Sequence, residues 1–272
     1  MTMLPRRTLL KLAAGLPALA AGASALAAAP AGKARAYVLA HGSWHGGWCW
    51  RPVADRLQAA GHRVYAPSYT GMGDRAHLLS RSITIDTFVE DLVQVIETQE
   101  LEEVILVGHS FGGIPITGVA DRIPQRLAHL VYFDAIVLQN GQNAFSVYPK
   151  AEADARIAAA SKATEGLAVP IPDPIPAAWG FTPGSADHDW VKRRLTLHPL
   201  ASYTTPLNLK HPIGNGVART YIHCTRPELD VLEASRKLVK SQAGWNWVEI
   251  AAPHEAHITH PAVLADLLLG LA

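Results

Sequence analysis

Cysteine is scarce in this chain, charge is thin, and neither sign of charge dominates. Two cysteines in 272 residues cannot build a disulfide scaffold or a four-cysteine zinc site. Charged residues make up 17% of the chain, with Lys+Arg 24 against Asp+Glu 23 for a net +1. That balance offers no electrostatic footing for nucleic acid or for an anionic membrane surface. There is no basic tail, no long charge run and no internal repeat. What the chain has instead is apolar content, 49%, which excludes a disordered polymer. Its length gives ample material for a buried core.

The first residues read as an address. Arg6 and Arg7 precede Thr8-Leu9-Leu10-Lys11, and an uncharged Ala/Leu/Gly run extends from Leu12 to Ala29. Ala25-Leu26-Ala27 fits a small-residue cleavage site. Basic, then apolar, then small is the order of a secretory leader, and RRTLLK resembles a twin-arginine export signal. A retained membrane anchor is the competing reading, but the run is mostly Ala and Gly and weakly apolar. The expectation is a leader over 1–27, a mature chain without stable membrane insertion, and a periplasmic or secreted location. Cleavage would remove Arg6, Arg7 and Lys11 and leave the chain slightly acidic.

Past the leader, short apolar runs alternate with helical patterns. Strands are expected at 36–40, 63–66, 104–107, 130–133, 218–223 and 247–250. Helices are expected from Trp48 to the stop at Gly61, over 85–98, from Phe111 to Arg122, from about Leu229 to Lys240, and from Pro261 onward. The strands do not alternate apolar and polar residues, as expected when both faces are covered. This is an α/β pattern with a mostly parallel sheet of about six strands and helices on both faces. From about 135 to 216 the pattern loosens around the proline-dense VPIPDPIP. That stretch is too long for a connection and reads as a cap over the sheet's carboxyl edge.

Gly108-His109-Ser110-Phe111-Gly112 matches G-x-S-x-G. The pattern alone is weak. Here it lies directly between VILV and a helix, the setting of a nucleophile elbow. A serine at the tip of such a turn needs a base and an anion site. His41-Gly42-Ser43 follows the first strand, and the expected oxyanion donors are the backbone N–H groups of Ser43 and Phe111.

Residues 36–272 resemble the α/β-hydrolase fold, and in particular the branch of plant methylesterases, hydroxynitrile lyases and related bacterial esterases. The resemblance rests on HGSWHGGWCW (41–50), APSYTGMGDRAHLL (66–79), LVGHSFGG (106–113) and PHEAHITHP (253–261), in that order. The cap matches poorly. In that branch the base stands before the final helix in a pattern like G-H-D-x-M-x-x-x-P, which places it at His254. His257, the substitute candidate, falls where an apolar Met usually stands. A metal reading of His254, His257 and His260 finds neither a third ligand on a rigid element nor a full H-E-x-x-H; no metal or organic cofactor is expected.

The acid is where the sequence departs from the family pattern. The resemblance places it at position 227, which is Pro227. Asp134 at the end of LVYFD is favoured, Glu228 is the alternative, and Asp230 is a third candidate that also suits a helix cap. The implied reaction is acyl transfer from a small-molecule ester through an acyl-enzyme. Cap residues Phe145, Tyr148, Trp179, Phe181 and Trp190 suit an apolar or aromatic substrate, or serve only as the cap's own core. Two other functions stay open. One is hydroxynitrile cleavage, although the lysine and threonine those lyases use are here Glu255 and Gly42. The other is ligand reception without turnover. Cys49 and Cys224 are read as buried thiols.

Overall fold

The computed structural model describes residues 34–271. The leader reading for 1–27 lies outside them. Among the described residues, eight strands form in chain order: β1 (Ala36–Ala40), β2 (Arg63–Tyr65), β3 (Val104–His109), β4 (Leu127–Phe133), β5 (Ala168–Val169), β6 (His198–Pro199), β7 (Ala218–Cys224) and β8 (Trp245–Ile250). Six of them make one sheet in the order β2-β1-β3-β4-β7-β8, and every pairing is parallel. β5 and β6 form a separate antiparallel pair. The six main strands are those expected from the sequence, several of them longer by one to three residues.

The helices are α1 (Arg51–Ala59), α2 (Ile85–Thr98), α3 (Gly113–Arg122), α4 (Lys150–Thr164), α5 (Ala186–Lys192), α6 (Leu200–Thr204), α7 (Glu233–Lys240), α8 (Ala256–Thr259) and α9 (Pro261–Leu269). α2 forms because Ile85, Phe88, Val89, Leu92, Val93 and Ile96 lie on one buried stripe, and a reciprocal Thr84–Thr87 capping box closes its start. α2 packs on α3, and α1 packs on α9, so helices cover both faces of the sheet. β1 and β3 are therefore buried throughout, which is why their sequences are apolar runs without alternation.

The register sets the site. Ala40 pairs with Gly108, His109 with Phe133, Phe133 with Ile222, and Cys224 with Ile250. The carboxyl ends of β1, β3, β4, β7 and β8 thus lie abreast at one edge. In an open parallel sheet that edge is where ligands bind.

Between β4 and β7 the chain leaves the sheet and builds α4, the β5–β6 pair, α5 and α6. The sequence pattern did not reveal α4. Its residues, KAEADARIAAASKAT, bury only Ala160. The helix rests on alanine propensity and on the Lys150–Asp154 and Glu152–Arg156 pairs rather than on an apolar stripe. Cys49 and Cys224 are both free and buried, and burial pushes both thiols well up.

Burial holds His41 down at about 3 and His198 well below the ordinary imidazole range. An unfolded chain would bind protons on both near 6.5. The folded state therefore loses stability as pH falls from about 6.5 toward 3, by up to about 1.4 kcal/mol per pH unit per histidine. Thermal melts at pH 7.5, 6, 5 and 4 should show Tm falling throughout that window. A flat profile would contradict the burial of neutral imidazoles.

Candidate active site

Ser110 stands where β3 turns into a single 3-10 turn (Ser110–Gly112) and then α3. Its φ is 54°, in the left-handed region that costs a non-glycine residue energy. The surroundings over-determine it. A Cβ on Gly108 would stand 2.5 Å from the Gly112 carbonyl oxygen, so the turn closes only with glycine there. The Ser110 carbonyl accepts from Ile136 N–H at 2.8 Å, tying the turn to the chain leaving β4.

The segment after β1 presses against this turn. A Cβ on Gly42 would lie 2.9 Å from Ser110 Cβ and 3.2 Å from His109 Nδ1. Ser43 lines the same cavity as Ser110, while Phe111 is fully buried beneath it. Tyr203, from α6, joins the two. Its hydroxyl is hydrogen-bonded to that of Ser43, and its ring lies 4.9 Å from that of Phe111. Burial raises the Tyr203 phenol far above its usual range, so it stays neutral. Nothing in the sequence marked Tyr203, because its role depends on how the excursion after β4 folds back.

His254 follows β8 in the loop before α8. Its Nδ1 hydrogen-bonds Asp134 Oδ2 at 2.6 Å, and both side chains are buried. Asp134 directly follows β4, with φ 39°. Its N–H donates to Ile222 O at 2.7 Å and its Oδ1 accepts from Cys224 N–H at 3.3 Å. The carboxylate thus sits between an imidazole and a backbone N–H of β7. The His254 carbonyl accepts from His109 Nε2 at 3.0 Å, which fastens the loop to the serine turn.

Glu228 lies elsewhere. Its Oε2 is 3.3 Å from Arg236 Nη2 and 3.7 Å from His223 Nε2, and its side chain is 48% exposed. Asp230 opens the short turn before α7 without a side-chain cap bond. Both line the cavity, but it is Asp134 whose carboxylate bonds His254. His257, the substitute base, is fully buried and faces Glu255. His260 is exposed, at the break between α8 and α9.

Ser110 and His254 open into one cavity of about 310 Å³. The excursion after β4 supplies Tyr148, Glu152, Arg156, Pro172, Pro176 and Trp179 to its wall. Of the aromatic candidates, Tyr148 and Trp179 thus face the cavity. Phe145 instead packs on Tyr203, and Trp190 on Trp48. The arrangement pairs a serine hydroxyl on a strained backbone turn with an oriented imidazole in a partly apolar enclosure. Such a set can carry nucleophilic acyl transfer.

Sequence comparison agrees with this architecture. The profile described as "Alpha/beta hydrolase family" matches residues 37–267. A "Carbendazim hydrolyzing esterase" from Nocardioides sp. (strain SG-4G) is 40% identical over 246 residues, covering 86% of this chain and 98% of the relative. "Methyl jasmonate esterase 1" of Vitis vinifera is 34% identical over 132 residues, covering 48% of this chain and 50% of that protein. Among solved structures, an extracellular α/β-hydrolase from a Paenibacillus species superposes with a TM-score of 0.76 at 23% identity, covering 88% of this chain and 99% of that one.

The close approach at Gly42 gives a direct check. Gly42→Ala should force the 41–43 segment off Ser110 and cost about 1–3 kcal/mol by overpacking, read as a lower Tm in calorimetry. An unchanged Tm would mean that the two segments do not touch. By its fold, its profile match and its near full-length esterase relative, the chain belongs to the α/β-hydrolase family and is an esterase-type hydrolase.

Proposed function

We propose that this protein is a serine esterase acting on small, predominantly apolar or aromatic esters through a Ser110–His254–Asp134 triad. The observation that carries the reading is the 2.6 Å bond between His254 Nδ1 and Asp134 Oδ2, with Ser110 and His254 on one cavity. Asp134 holds the imidazole with Nδ1–H toward the carboxylate, which leaves Nε2 as the base. His254 takes the Ser110 proton as the oxygen attacks the ester carbonyl. The N–H groups of Ser43 and Phe111 receive the oxyanion. His254 then protonates the leaving alcohol, and water, activated by the same imidazole, releases the acid.

Residues 135–216 act as the cap in this reading. A cavity near 310 Å³ is at the small end for organic ligands, and Trp44, Tyr148 and Trp179 in its wall suit a flat apolar group. The near full-length relative named for carbendazim hydrolysis makes that compound a rational first substrate beside simple aromatic methyl esters. Glu255 at the position where the lyases use lysine argues against cyanohydrin cleavage. The 1–27 leader would export the folded chain to the periplasm or beyond.

The test is a kinetic panel of p-nitrophenyl esters, aromatic methyl esters, carbendazim and a cyanohydrin. Ser110→Ala and His254→Ala should lower kcat by more than ~10³-fold, and Asp134→Asn by ~10²–10⁴-fold. Glu228→Gln should stay within ~3-fold. A collapse in Glu228→Gln with Asp134→Asn near wild type would reassign the acid. Full activity in Ser110→Ala would end the mechanism, and ligand binding without any turnover would favour the receptor reading.

A further inference from the structure

Behind the serine turn lies a second cluster that ester hydrolysis does not use. His45, His109, Glu255 and His257 are each at most 1% exposed. His257 Nε2 lies 3.4 Å from Glu255 Oε2, and His45 Nε2 lies 3.6 Å from the same oxygen. One ligand atom each from His109, Glu255 and His257 lie within 4.8 Å of one another. Buried polar atoms almost always find partners. Here His45 Nε2, His109 Nδ1, Glu255 Oε2 and both ring nitrogens of His257 have no hydrogen-bond partner.

The tautomers add to the case. His45 Nδ1 donates to the Ser43 carbonyl at 2.7 Å, and His109 Nε2 donates to the His254 carbonyl at 3.0 Å. In the neutral rings each opposite nitrogen therefore keeps its lone pair and lacks a partner. A ring N–H anchored on a backbone carbonyl with the other nitrogen free is the support that metal-binding histidines use. The family pattern puts an apolar Met at position 257, so the second imidazole is a departure of this chain.

We propose that His109, Glu255 and His257, with His45 beside them, bind one borderline-soft divalent cation of the zinc type. Two imidazoles and a carboxylate are a zinc donor set. Tetrahedral bonds of about 2.0–2.1 Å separate ligand atoms by roughly 3.3 Å, close to the Glu255–His257 spacing. The ion has a route in, because His45, His109 and Glu255 line the 310 Å³ cavity. Ser110 chemistry needs no metal. A bound ion would instead clamp the loop carrying His254 and the start of α8 onto the serine turn, since Glu255 and His257 lie on the first two and His109 just before the third.

Cobalt(II) is the probe, added to the untagged, chelator-treated full chain. Wild type should take up one equivalent, show visible d–d absorption bands that zinc quenches, and gain about 5–10 °C in Tm at a hundredfold excess over Kd. His257→Met and Glu255→Gln, each checked for folding by circular dichroism, should lose both signals. His211→Ala, at an exposed His–Asp pair, should keep them. Absence of bands and Tm gain in wild type would overturn the proposal. So would bands that survive both cluster variants, or that vanish in His211→Ala. None of these readouts depends on turnover, so the proposed esterase function can fail without affecting the outcome.

Discussion

The hydrogen bond between His254 and Asp134 spans 120 positions of sequence, and the arrangement of the site hangs on it. It forms only if the end of β4 and the loop after β8 arrive at the same edge, with β7 between them. The parallel order β4-β7-β8 does this, and β7 contributes more than spacing. Its Ile222 carbonyl accepts from the Asp134 N–H and its Cys224 N–H donates to the Asp134 carboxylate, so β7 fixes both the backbone and the side chain. With Asp134 in place, His254 bonds it through Nδ1. His109, one residue before Ser110, then fastens the His254 carbonyl.

The same edge gathers six buried imidazoles. His41, His45, His109, His198, His254 and His257 are all buried. Several fasten backbone segments: His41 Nδ1 donates to the Gly42 carbonyl and its Nε2 accepts from Tyr69 N–H, while His45 reaches the Ser43 carbonyl. Burial keeps such rings uncharged where the pull of burial is clear, as at His41, His109, His198 and His257. A neutral ring offers one donor and one lone pair, which suits it to fixing loops at a site where bulk charge would be costly. The orphaned atoms around Glu255 are the place where this economy is incomplete.

Much of the architecture was legible because its signals are local. The β1 and β3 runs read as fully buried strands, and α2 carries a clean apolar stripe. Ser110 was visible because strand, glycine, serine and helix follow one another within ten residues. α4 escaped because its stability comes from alanine propensity and surface ion pairs, which leave no periodic stripe to detect. Tyr203 escaped because its contact with the site is a hydroxyl meeting Ser43 from 160 residues away.

The acid marks the boundary between the two kinds of information. Residues within one turn or one strand constrain each other through backbone geometry, so the chain by itself determined the number of main strands, the serine turn and a histidine-rich loop before the last helix. Asp134, Glu228 and Asp230 are all acids near strand ends, and nothing local ranks their distance to an imidazole. Only the tertiary structure decided which carboxylate meets His254. Hydrogen bonds act over about 3 Å, and that proximity is set by strand register and by what else competes for each acid. Arg236 and His223 hold Glu228 aside, while β7 holds Asp134 in place.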